Sequence, residues 1–314
     1  MLTIFITVLP VFLLIGTGYV AVRSGYLPLS MSQGLNAFAI KLAVPLLLFG
    51  AMVRLDFSAA FSPLLLVSFY SGAFICFVSG IVLARKVFGR RPGEAVAVGF
   101  AATFSNSVLL GLAVVERIYP EPVLTSAFGI IAFHAPSIYI VGMITMELMR
   151  RDGKPLSETL GTAGKSILAN PLMIGILSGV LVNLSGLSLP EAVMDTVSLI
   201  AAAALPVALV GIGAAMTNYQ LRAGMAESLT VSVLSLLLHP LIAFVLSHYV
   251  FALPADMVRA AVTLAAMPPG MNIYVFAVMY NRAVNLAASA FLMATTISVL
   301  SISAWLYLLS HMTL

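Results

Sequence analysis

The sequence predicts an all-α polytopic membrane protein of ten transmembrane helices, built as two inverted five-helix repeats with helices 4 and 9 broken. Three observations predict it: an apolar composition almost without charge, a succession of apolar runs long enough to cross a bilayer, and an internal repeat. Of 314 residues, 61% are hydrophobic and 8% charged, with a mean hydropathy of +1.12. A soluble domain carries roughly 25% charged residues, so most of this chain is too apolar to face water. The runs stay apolar over about 18 residues or more, as membrane helices do, whereas strands of a membrane barrel alternate apolar and polar. Composition also excludes other classes. A net charge of +4, from 15 Lys and Arg against 11 Asp and Glu with no large basic cluster, argues against a nucleic-acid partner. One cysteine, Cys76, cannot make a disulfide framework, and no long polar tract suggests disorder.

Ten apolar stretches, separated by charge or turn clusters, follow in order. The first, about 3–22, has no basic residue before it and no A-x-A site after it, so it reads as a span and not as a cleaved leader. The second, about 34–53, carries Lys41 and Pro45; the third, about 61–84, holds Cys76. The fourth, about 94–115, is interrupted at mid-depth. The fifth, about 122–149, contains His134 two residues before Pro136, with Glu147 near its end. The sixth covers about 166–184, and the seventh, about 191–216, starts weakly polar, with Glu191 and Asp195 expected in solvent. The eighth, about 227–250, sets His239 beside Pro240. The ninth, about 257–279, is interrupted like the fourth, and the tenth covers about 286–309.

Orientation follows from the basic residues. The odd-numbered loops hold Arg23; Arg85, Lys86, Arg90 and Arg91; Arg150, Arg151, Lys154 and Lys165; Arg222; and Arg282. The even-numbered loops hold only Arg54, Arg117 and Arg259. The odd loops are therefore expected in the cytoplasm and both termini outside it.

The repeat runs at an offset of 161: Pro10 matches Pro171, Gly18 matches Gly179, and Ser24-Gly25 matches Ser185-Gly186. Pro45 likewise matches Pro206, and Gly50 matches Gly211. Beyond a small slip, Asn106 pairs with Asn272, and Ser126-Ala127-Phe128 with Ser289-Ala290-Phe291. The expected division is a first repeat at 1–149, a short cytoplasmic linker at 150–165 and a second repeat at 166–314. Five spans per repeat force the second to insert upside down, which is the plan of many secondary transporters.

Spans 4 and 9 share one oddity. Span 4 reads Thr103-Phe104-Ser105-Asn106-Ser107, and span 9 reads Met267-Pro268-Pro269-Gly270-Met271-Asn272. Two prolines remove two backbone donors, and glycine frees φ and ψ. Such breaks are costly in hydrocarbon unless they line a cavity enclosed by protein. If both spans unwind there, two half-helix N-termini offer N–H groups and partial positive charge to a carboxylate. Asn106 and Asn272 add amide donors without a buried fixed charge. Ser105, Ser107, Pro268, Pro269, Gly270 and Met271 complete the expected substrate site. The competing reading is a plain kink, with the asparagines bonding neighbouring helices.

The stretch Ser105 to Gly111, Ser-Asn-Ser-Val-Leu-Leu-Gly, and the stretch Pro268 to Ala277, Pro-Pro-Gly-Met-Asn-Ile-Tyr-Val-Phe-Ala, resemble the two crossover segments of the auxin efflux carrier family. Val44-Pro45-Leu46-Leu47-Leu48-Phe49 and Leu286-Ala287-Ala288-Ser289-Ala290 fit it as well. That family includes plant auxin exporters and bacterial malonate or dicarboxylate permeases. The resemblance spans essentially the whole chain. It implies a fold like the bile-acid sodium symporters, with crossed helices 4 and 9. Spans 1, 2, 6 and 7 would form a scaffold, broken at Pro45 and Pro206, and spans 3–5 and 8–10 a moving transport domain. A homodimer through the scaffold spans is also implied. The plant exporters carry a long loop between spans 5 and 6, which is short here as in the bacterial members.

Lys41 is the only Lys or Arg deep in a span. It reads either as an anion-pairing or coupling residue or as a side chain snorkelling to an interface. Its counterpart at the 161 offset is Ala202, so it stands outside the repeat. His134 and His239 could carry protons, though buried histidines are more often simply hydrogen-bonded. The spans lack the acidic clusters that would hold sodium, which favours proton coupling or uniport. No ligand spacing for a metal, no phosphate-cradling loop and no nucleophile–base pattern appears, so neither cofactor nor enzyme activity is expected. The expected partners are the lipid bilayer and a small organic anion, carried by alternating access across a plasma or bacterial inner membrane. The alternative is a membrane-embedded sensor or scaffold that binds without transport.

Overall fold

The computed structural model describes residues 2–56, 61–150, 171–217 and 224–312, with positions 161, 165, 168 and 169. Most of the expected linker at 150–165 lies outside the described residues. In chain order the helices are α1 (Leu2–Arg23), α2 (Leu29–Phe38), α3 (Val44–Arg54), α4 (Pro63–Lys86), α5 (Pro92–Thr103), α6 (Leu112–Ile118), α7 (Glu121–Arg150), α8 (Pro171–Ser185), α9 (Glu191–Ala202), α10 (Ala204–Met216), α11 (Met225–Val233), α12 (His239–Phe244), α13 (Ala255–Ala265), α14 (Asn272–Tyr280) and α15 (Val284–His311). Among the described residues there is no strand, only one isolated β-bridge. Six stretches are long and apolar enough to cross a membrane: Leu29–Arg54, Pro63–Lys86, Glu121–Met149, Glu191–Met216, Met225–Val250 and Val284–His311. Leu9–Arg23 and Pro171–Ser185 are apolar but shorter. The expected fourth and ninth spans are each divided, α5 from α6 and α13 from α14.

Proline placement explains many of the boundaries. α4, α5 and α8 each begin on proline, whose missing N–H would have no intrahelical partner there. Ser62 caps α4 by accepting a hydrogen bond from the Leu65 N–H at 3.3 Å. Prolines inside apolar stretches act differently. Each denies a donor to the carbonyl four residues back; α1 and α7 run on as α-helix past Pro10 and Pro136, but at Pro45, Pro206 and Pro240 the helix responds locally. A π-helical turn at Ala39–Ala43 precedes Pro45, and another at Leu234–Leu238 precedes Pro240. The helix is interrupted at Ala203, three residues before Pro206. For Pro240 the carbonyl left over is that of Leu236. The Trp305 indole N–H on α15 donates to it at 2.9 Å. The Cys76 thiol donates to the Leu234 carbonyl of the same turn at 3.2 Å.

The chain divides into two compact units. One comprises Leu9–Ala60 and Gly164–Asn218. Within it α3 packs against α8 and α9, and α2 against α10. Lipid tails are as apolar as leucine, so helix association relies on close backbone packing at small residues. A Cβ on Gly18 of α1 would run into the Val210 carbonyl of α10. A Cβ on Gly179 of α8 would lie 2.6 Å from the Phe49 carbonyl of α3. Asn183 closes the end of α3, donating from Nδ2 toward the carbonyls of Met52, Val53 and Leu55 at 3.1, 2.8 and 3.0 Å. Asn36 donates to the Ser32 carbonyl on its own helix and to Gly211 O on α10 at 3.1 Å. It is thus a tie between helices.

The other unit comprises Met1–Val8, Phe61–Ala163 and Tyr219–Leu314. Here α4 packs against α5 and α12, α7 against α5 and α13, and α15 against α11 and α14. The backbones of α4 and α5 meet at Gly80 and Gly99, where an added Cβ on Gly80 would sit 2.8 Å from the facing Cα. Tyr70 donates its hydroxyl to the Ile130 carbonyl at 2.9 Å, linking α4 to α7.

At one end of this unit, the Arg90 guanidinium grips Glu227 in α11 with two parallel bonds, Nε to Oε1 at 2.7 Å and Nη2 to Oε2 at 2.6 Å. The Glu227 side chain is 7% exposed and that of Arg90 32%. Removing one partner of a buried pair costs about 3–5 kcal/mol. With the arginine a third exposed, Arg90→Ala should cost about 2 kcal/mol. Arg90→Ala/Glu227→Gln should recover part of that loss, because no uncompensated charge stays buried. Thermal unfolding in detergent checks both; an Arg90→Ala protein as stable as its parent would remove the pair from the account.

Candidate functional site

The two broken segments meet inside the second unit. Ser105 and Pro269 face each other in an antiparallel bridge. Asn106 N–H donates to the Pro268 carbonyl at 2.8 Å, and Gly270 N–H to the Phe104 carbonyl at 3.0 Å. Pro269 occupies the position between those two bonds, where the ladder asks for no N–H. The pairing therefore tolerates the proline and satisfies backbone groups that each break exposes. Neither segment carries a formal charge over 103–107 or 267–272.

Two helical segments start from this bridge. A π-helical turn at Ser107–Gly111 leads into α6, with both Leu110 N–H and Gly111 N–H donating to the Asn106 carbonyl, at 3.2 and 2.9 Å. Gly111 lets that turn pass close to α13, since an added Cβ would lie 2.8 Å from a Leu264 methyl. On the other side α14 starts at Asn272, directly after Met271. N–H groups in a first helical turn lack the usual partner four residues back; in α14 those of Ile273, Tyr274 and Val275 donate instead to the carbonyls of Gly270 and Met271 at 3.2, 3.0 and 3.2 Å.

The asparagines differ in setting. Asn106 is 8% exposed, and its side-chain amide makes no hydrogen bond among the described residues. Asn272 is half-buried, and Tyr139 on α7 donates its hydroxyl to Oδ1 at 3.3 Å. That bond leaves the Asn272 NH2 group, which can only donate, for another partner. Ser105 and Ser107 are buried, with their hydroxyls 2.6 Å apart. Pro268, Pro269 and Gly270 are buried, and Met271 is half-buried. The crossover thus gathers all eight residues expected at the substrate site.

Aromatic rings pack beside the bridge. Phe100 stacks on Phe276 with centroids 3.9 Å apart, and Tyr139 lies against Phe100 and Phe104 at 5.4 and 5.5 Å. These rings, and the role of Tyr139 above all, do not emerge from the sequence reading. The available signal was a polar-tipped aromatic at mid-depth in span 5, five residues beyond His134. His134 is brought to the crossover, with Nε2 3.2 Å from the Ser105 carbonyl. Lys41 is not: it belongs to the other unit, is exposed, and makes no ion pair among the described residues. Pro45 and Pro206 also lie in the other unit, each next to a helix irregularity.

A helical, integral membrane protein with two broken segments joined among its own helices is the class these features define. Residues 3–306 match the family described as "Membrane transport protein", and the chain belongs to this family of auxin efflux carrier-like transporters. It is similar to an "Uncharacterized transporter" of Methanothermobacter thermautotrophicus, 29% identical over 95% of this chain and 96% of the relative. It is also similar to a "Putative malonate transporter" of Rhizobium meliloti, 26% identical over 96% and 94% of the two chains.

Tyr139→Phe removes one hydroxyl and keeps the ring. If the Tyr139 bond orients the Asn272 amide, the substitution should weaken ligand binding by about three- to tenfold, the value of one neutral hydrogen bond. Unfolding temperature should change little. Binding isotherms of the two proteins check this, and equal affinities would show that Asn272 needs no such support.

Proposed function

We propose that the protein is a secondary transporter that carries a small organic anion, a carboxylate, by exposing the crossover alternately to the two sides of the membrane. The observation that carries this reading is the crossover itself: two helix starts and two asparagines in an uncharged, largely buried setting. An anion there would receive hydrogen bonds and partial positive charge without any buried cation having to be maintained when the site is empty. The name of the Rhizobium meliloti relative supports a dicarboxylate of malonate size.

The wider architecture is proposed with it. Six long spans, two shorter apolar helices and two divided ones support ten crossings. The approaches of Gly18 to Val210 and of Gly179 to Phe49 support the inverted repeat, because both members of the second contact match the first at the 161 offset. The unit that holds most of span 1 together with spans 2, 6 and 7 is suited to be the scaffold and site of a homodimer contact. The unit holding spans 3–5 and 8–10 would then be the moving part. Both termini are proposed to lie outside the cytoplasm.

The test is malonate uptake into vesicles reconstituted with the protein and no added ATP. Binding without any flux would favour a sensor, and strict ATP dependence would rule out secondary transport. Asn106→Ala and Asn272→Ala should each lose about 1.5–3 kcal/mol of binding to a charged ligand, a tenfold to hundredfold weaker affinity. Both variants should insert and fold. Normal transport by both would remove the substrate from the crossover.

A further inference from the structure

Two buried histidines occupy the interior of the crossover unit. His134 on α7 and His239 on α12 are each 1% exposed, and both rings meet Phe69 edge-on, with centroids 5.6 and 4.8 Å away. His239 is held by its Nε2 against the Phe69 carbonyl at 3.1 Å, away from the bridge. His134 is held against the bridge itself. Its Nε2 lies 3.2 Å from the Ser105 carbonyl and 3.5 Å from the Ser105 hydroxyl. A carbonyl can only accept, so the hydrogen of the neutral ring belongs on Nε2. Nδ1 is then a bare lone pair, and it is buried without a partner.

That nitrogen, like the equally unpartnered Nδ1 of His239, can accept a hydrogen bond or take a proton, but only His134 does so from a ring held on the bridge. The titratable groups facing it are Tyr70 on α4, whose ring stacks on His134 at 6.3 Å, and His239 on α12. Neither supplies negative charge, and no carboxylate forms an ion pair with His134 among the described residues. A buried imidazolium therefore needs an anion from elsewhere. The hydroxyls of Ser105 and Ser107, 2.6 Å apart, run from the imidazole to the start of the half-helix.

We infer that His134 is a proton site coupled to the crossover, so that one proton and one carboxylate stabilise each other there and move together. This rests on the carboxylate reading above. Linkage makes the effect reciprocal: the anion raises the hold on the proton, and the proton raises the hold on the anion. His134→Gln is the informative change, because a glutamine amide can still donate to the Ser105 carbonyl but cannot be protonated.

The experiment uses the full chain and malonate as the probe. Proton uptake on binding is read from titrations in buffers of different ionisation enthalpy, so that the ligand's own ionisation is common to all proteins. The wild type should take up about one proton more than His134→Gln, with malonate affinity rising toward low pH. In His134→Gln the affinity near pH 6 should fall about tenfold and its pH dependence flatten. His239→Gln should keep the uptake. A proton gradient along the direction of malonate movement should speed wild-type transport in vesicles. Unchanged proton uptake in His134→Gln, its loss in His239→Gln alone, or a gradient without effect on the wild type would each overturn the coupling and leave the carboxylate site standing. Failure of the wild type to bind any small carboxylate would overturn that site and this inference together.

Discussion

Inside a bilayer every backbone N–H and C=O must find its partner within the protein, and the rest of this structure depends on how that demand is met. Unbroken helices meet it by themselves. The informative places are those where they do not. At the crossover, two interrupted segments complete each other through the bonds from Asn106 to Pro268 and from Gly270 to Phe104. At Pro240, Trp305 reaches across from another helix to the carbonyl that proline leaves unpaired. At the end of α3, one asparagine amide serves three carbonyls. Each solution joins parts of the chain far apart in sequence, so satisfying the backbone also determines the packing.

The crossover combines two properties that oppose each other in most binding sites. It is buried, which strengthens electrostatic interactions, yet it carries no fixed charge that would have to be compensated when empty. For the proposed carboxylate, helix starts and amides would supply the attraction. The cost is borne by rigid support: Tyr139 on one asparagine, a stacked pair of phenylalanines beside it, and His134 against the bridge. Placing the whole site within one compact unit lets that support stay intact if the unit moves.

Membership of the membrane transport family was legible from the residues that break spans 4 and 9, because proline and glycine act on their own backbone wherever they stand. The breaks expected at Pro45 and Pro206 coincide with a π-helical turn and a helix interruption, and Pro240 of span 8 follows a π-helical turn as well. Lys41 drew attention as an isolated charge, but it lies exposed in the unit that does not contain the crossover. Asn36 bonds to a helix 175 residues away in sequence. Nothing in its local surroundings signals that contact.

By itself the sequence determined that the chain is helical, that it belongs in a membrane, and where its helices fail. Those properties add up residue by residue along a short window, through hydropathy and through the missing donor of each proline. Only the tertiary structure decided that the two failures pair with one another and that Tyr139 reaches Asn272. It also decided that His134, and not Lys41, stands at the crossover. Those facts are distances between residues separated by as many as 164 positions of sequence, as Ser105 and Pro269 are. No local pattern encodes them, because they depend on how closely glycines such as Gly80 and Gly99 allow whole helices to approach.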